Sequence, residues 1–63
     1  MREIERAWRR AHPEVLRPLA AQWVVLEGEQ VIAVGPDPVP LVQTARAQGI
    51  RSPYVFRVDV DRP

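Results

Sequence analysis

Apolar and polar positions change rhythm along this chain, and each rhythm predicts an element. Residues 2–11, "REIERAWRRA", set Ile4, Ala7, Trp8 and Ala11 at i, i+3, i+4 and i+7 with Arg and Glu elsewhere. That is one stripe of an amphipathic helix. The phase continues to Val15 and Leu19, but Pro13 and Pro18 intervene. A proline inside a helix removes a hydrogen bond and clashes with the preceding turn, a cost of ~3 kcal/mol. The reading is a first helix ending near His12, a short helical turn opening at Pro13, and a stop at Pro18.

"QWVVLE" (22–27) is a nearly unbroken apolar run rich in β-branched residues, hence a strand. Gly28 and Glu29 form a two-residue turn, with glycine at the first central position where φ > 0 is required. "QVIAV" (30–34) returns. A regular ladder from that turn sets Leu26 opposite Val31, Val25 opposite Ile32, Val24 opposite Ala33 and Trp23 opposite Val34. Directly opposed residues share a face. One face then holds Trp23, Val25, Ile32 and Val34; the other holds Val24, Leu26, Val31 and Ala33. Both are apolar, so both need cover.

In "DPVPLVQTARAQGI" (37–50), Asp37 suits a helix N-cap, Pro38 the first helical position, and Pro40 the first turn. Leu41, Val42 and Ala45 give the buried stripe. Gly49 falls just past the helix, with Ile50 after it, the order of a Schellman ending. After "RSP", the strand "YVFRVDV" (54–60) alternates Tyr54, Phe56, Val58 and Val60 against Val55, Arg57 and Asp59. The fold class is therefore α+β: a small α-β-β-α-β domain with a β-hairpin, two main helices and a three-stranded mixed sheet of order 2-1-3. Residues 1–63 form one domain, 1–20 a helical segment and 22–60 a ββαβ core. The uncharged "QVIAV" lies on the sheet edge. It lacks the charge or proline that normally protects an edge, so a second chain or the N-terminal segment is expected to cover it. Edge-to-edge pairing of two such strands would be disrupted by proline at Ile32.

Composition narrows the chemistry. With 63 residues and no cysteine, the chain has a small core, no disulfide to staple it, and no thiol nucleophile or zinc ribbon. No apolar run nears the ~20 residues that span a bilayer, and the N-terminus is charged. A cytoplasmic protein without membrane contact is expected. All nine basic residues are Arg, which matches a GC-rich genome, and the net charge is only +1. Residues 1–20 carry +2, 21–45 carry −3 and 46–63 carry +2; no segment has the clustered basicity of a dedicated nucleic-acid binder.

Strand, glycine and helix at "VGPDP" is also the grammar of a phosphate loop. Pro36, Pro38 and Pro40 delete the N–H donors such a loop uses, and Asp37 sets a negative charge where the anion would sit. Asp37 is read as a cap. His12, the single histidine, has only Glu14 nearby and suits a helix terminus. Asp59 and Asp61 are too few ligands for a hard cation. No catalytic, cofactor or metal site is expected.

The stretch "QWVVLEGEQVIAVG", the helix "LVQTARAQGI" and the terminal "SPYVFRV" resemble a family of short prokaryotic proteins catalogued as a domain of unknown function (family 5678). The resemblance covers about 45 of 63 residues, and its motifs are structural. Here Pro-Val-Pro replaces the family's acidic first helical turn, and "VDVD" its terminal Val-Pro. The resemblance implies no activity, no cofactor and no catalytic residue. It does imply a protein partner, a retropepsin-like aspartic protease encoded nearby.

The expected role is a non-enzymatic protein-interaction module, a homo-oligomer with a dimer favoured, or an accessory subunit. The candidate interface is Trp8, Val31, Ile32, Ala33 and Val34. The alternative is a nucleic-acid-associated regulator acting through the Arg-rich first helix (Arg2, Arg6, Arg9 and Arg10).

Overall fold

A computed structural model describes residues 3–59; Arg2, Val60 and Asp61 lie outside the described residues. In chain order the elements are α1 (Glu3–Ala11), α2 (Pro13–Leu16), a 3-10 turn (Arg17–Leu19), β1 (Trp23–Glu27), β2 (Gln30–Gly35), α3 (Pro38–Ala47) and β3 (Tyr54–Arg57). Pro18 sits within the 3-10 turn, so it tightens the chain where a stop was expected. The three strands form one sheet in the order β2-β1-β3, an α+β domain as expected. Both ladders are antiparallel. β2 and β3 run parallel to each other but never pair, so the sheet is antiparallel throughout and not mixed.

β1 lies at the centre, and Val24, Val25 and Leu26 are fully buried. Consecutive residues of a strand point to opposite faces, so three buried in a row require cover on both. α1 packs on one face: Trp8 gathers with Val24, Leu26, Phe56 and Val58, flanked by Val31, Val34 and Tyr54. α3 packs on the other: Leu41 and Ala45 meet Val25, flanked by Trp23, Ile32, Ala33, Ile50 and Val55. The short chain thus covers both faces of its own sheet.

The local signals hold. Gly28 has φ +61° at the hairpin turn. Asp37 is extended, and its Oδ1 accepts the Val39 N–H at 3.0 Å. Gly49 has φ +92°; its N–H reaches the Arg46 carbonyl, and the Ile50 N–H reaches that of Ala45. That bond pair is the Schellman ending, and Ile50 packs beside Ala45.

The regular hairpin register does not hold: Leu26 pairs with Val31, but Val25 pairs with Ala33, Val24 with Val34 and Trp23 with Gly35. Ile32 is an extra residue opposite Val25, a β-bulge. Past it the alternation shifts, so Val34 joins the α1 face and Ala33 the α3 face, the reverse of the regular assignment. A bulge is itself an edge-protecting device, so β2 is less bare than its composition suggests. Proline at Ile32 would strike the intramolecular ladder as well as any edge contact.

The apolar stripe of α1 is not its buried face either. Glu5 and Trp8 are buried and Arg9 and His12 half-buried, whereas Ile4, Ala7 and Ala11 are exposed, Ile4 by 60%. The helix is turned by about 100°, one residue's worth of rotation, from a seating centred on that stripe. Three polar contacts accompany this. Gly28 N–H donates to Glu5 Oε2 at 2.8 Å, Arg9 donates to the Tyr54 hydroxyl at 3.0 Å, and the Arg9 guanidinium lies 4.0 Å from the Phe56 ring centroid.

Candidate interaction surface

The residues that could carry chemistry are dispersed. His12 stacks on Trp8, with ring centroids 4.5 Å apart, and its Nδ1 lies 2.9 Å from the Trp8 carbonyl. A carbonyl oxygen can only accept, so Nδ1 carries the proton. His12 therefore folds back onto a carbonyl of the last turn of α1. At Gly35, a Cβ would lie 3.2 Å from a Leu41 methyl; the bare glycine lets α3 approach the sheet. Asp59 is exposed. Among the described residues no group of three or more His, Cys, Asp or Glu could hold a metal ion, and no helix is long and apolar enough to cross a membrane.

A surface takes shape around α1 and β2. Ile4, Ala7 and Ala11 line a depression of about 370 Å³, closed by Trp8, His12 and, from the hairpin turn, Glu29. Glu29 leads into β2, while Arg9, on the opposite side of the helix, reaches Tyr54 and Phe56 of β3. The exposed stripe thus looks toward the β2 side of the molecule, and among the described residues no strand pairs with the outer edge of β2. The depression along the stripe reaches the turn that opens β2.

Of the residues expected at an interface, Val31, Ile32, Ala33 and Val34 are half-buried along that edge. Trp8 is 9% exposed and belongs chiefly to the protein's own core. Of the α1 stripe only Trp8 stands among the expected interface residues, because the spacing alone does not say whether the stripe meets the chain's own sheet or another chain. The signal available was Trp8, whose size alone could pull the helix round.

A second feature gathers charge. Arg6, Arg9 and Arg10 line a depression of about 270 Å³ with Leu16. Arg9 is held by Tyr54 and Phe56; Arg6 and Arg10 are exposed. Compared with known proteins, the chain matches no family model, no curated protein and no solved structure.

Proposed function

We propose that this chain is a non-enzymatic protein-interaction module that works as a homodimer in the cytoplasm of a prokaryote, in keeping with its resemblance to the short family noted above. An accessory role beside a larger protein, such as a retropepsin-like protease, would use the same module. One observation carries the reading. An apolar helix stripe, Ile4, Ala7 and Ala11, is turned away from the chain's own core and shares a depression with Glu29, in the turn that opens β2, a strand with an unpaired outer edge. Exposed apolar surface bordered by charge is characteristic of interaction sites.

Light scattering from low to high micromolar concentration tests it, with a dimer expected. Ile4→Lys alters a side chain that is 60% exposed, so folding should persist. The dissociation constant should rise about tenfold or more, the equivalent of 1.4 kcal/mol. A strict monomer at high micromolar concentration overturns the proposal.

A second reading draws on the Arg6, Arg9 and Arg10 cluster: association with nucleic-acid phosphates. Such contacts strengthen as salt falls. Absence of binding to mixed RNA and DNA at low salt removes it.

A further inference from the structure

We propose that the second copy docks about a two-fold axis normal to the sheet. The two α1 helices then lie antiparallel, and Glu3 of each chain meets Arg10 of the other. The proposal rests on the homodimer reading and gives it a geometry.

Charge placement carries it. Ile4, Ala7 and Ala11 form the exposed stripe, and Glu3 and Arg10, both exposed, are seven residues apart. Seven residues is close to two helical turns, so Glu3 and Arg10 flank the stripe on one and the same side, near its two ends. A two-fold axis that reverses the helix direction brings like flank to like flank and first end to last end. Each Glu3 then faces an Arg10, twice per dimer, as same-flank charges do in antiparallel helix pairs. A parallel pair would set that flank against the opposite one, where Trp8 and His12 lie, and would not bring these two charges together. Ala7 falls at the centre, and its small side chain suits the 8–10 Å axial separation of packed helices.

The sheet accepts the same operator. α1 lies over the sheet, with Glu5 at the hairpin turn and Arg9 over Tyr54 and Phe56. An axis normal to the sheet that reverses α1 also reverses β2, so the two β2 edges come side by side and antiparallel. Area requires that both elements take part. Stable interfaces bury roughly 800 Å² per partner, about a sixth of this chain's 4545 Å². The nine-residue α1, roughly 14 Å long, supplies only part of that. The β2 edge supplies the rest through side chains, since the bulge at Ile32 limits a continuous intermolecular ladder.

The sequence contains no cysteine, which makes a cross-linking test clean. Ile4→Cys and Ala11→Cys both alter exposed positions. Antiparallel docking predicts that mild oxidation of the mixed variants shifts the band from monomer to dimer, while either variant alone stays monomeric on a denaturing gel. Disulfide geometry is strict enough to tell these registers apart. Arg10→Glu should weaken the dimer about tenfold, and adding Glu3→Arg to it should restore the wild-type constant. Three results overturn this geometry while light scattering still shows a dimer: the Ile4→Cys variant cross-links with itself, the mixed variants do not cross-link, or the double exchange fails to restore affinity. Each leaves the homodimer standing. A monomer overturns both.

Discussion

The hydrogen bond from Gly28 N–H to Glu5 Oε2 ties the N-terminal helix to the hairpin, and removing it should loosen the whole α1 face. Glu5 is 7% exposed and the bond is 2.8 Å long, within the range of charge-assisted bonds. Glu5→Ala leaves the half-buried Gly28 N–H without this acceptor, a loss of about 1.5–3 kcal/mol. At ~0.05–0.15 kcal/mol per residue, a chain of this size has roughly 3–9 kcal/mol of stability in all. A loss near 2 kcal/mol would lower the melting temperature by about 8–16 °C, at ~4–8 °C per kcal/mol for small domains. Glu5→Gln keeps an oxygen where the carboxylate stood and should lose only about 1 kcal/mol, the difference between a charged and a neutral bond. Urea unfolding at one fixed protein concentration, followed by circular dichroism, measures both, since any dimer makes stability depend on concentration. Amide exchange adds a single-site readout, with Gly28 exchanging faster in the alanine variant. An alanine variant within about 0.5 kcal/mol of wild type, the size of ordinary surface substitutions, would refute the reasoning. So would a glutamine variant as damaging as alanine.

Two further outcomes follow from local geometry. Asp37→Ala removes the acceptor for the Val39 N–H and should destabilise by about 1 kcal/mol in urea titration; no change would mean that the prolines alone set the helix start. Ala21 has φ +68°, a conformation that disfavours any Cβ by roughly 1–2 kcal/mol. Ala21→Gly should therefore raise the melting temperature despite the greater unfolded-state freedom of glycine, and a lower one would contradict the assigned strain.

What could be read from the sequence was what neighbours decide. Gly28, Asp37 with Pro38, and Gly49 with Ile50 act through bonds to residues a few positions away, and each took its expected place. The strand order followed from the doubly apolar "WVVL", which only a central strand can bury. The bulge was not legible. Nothing in "QVIAV" marks one residue as surplus, and the choice is made by packing against α1 and α3 together. The seating of α1 was not legible for a similar reason. Its apolar spacing favours Ile4, Ala7 and Ala11, but its partners Gly28, Tyr54 and Phe56 lie far along the chain and engage Glu5 and Arg9. Trp8 lies in the core, and Ile4, Ala7 and Ala11 lie outside it.

The bulge also changes how the gene can drift. In a regular strand, losing one residue flips every later side chain to the other face, so single-codon deletions are confined to loops. β2 is different at one position. Leu26 already pairs with Val31, and Val25 with Ala33. A chain lacking Ile32 would keep each of those pairs and send Ala33 and Val34 to the same faces as before. What it would lose is one side chain on the α3 side and the kink in the edge. Relatives one residue shorter in this strand would then carry a straighter outer edge, better suited to pairing with another copy.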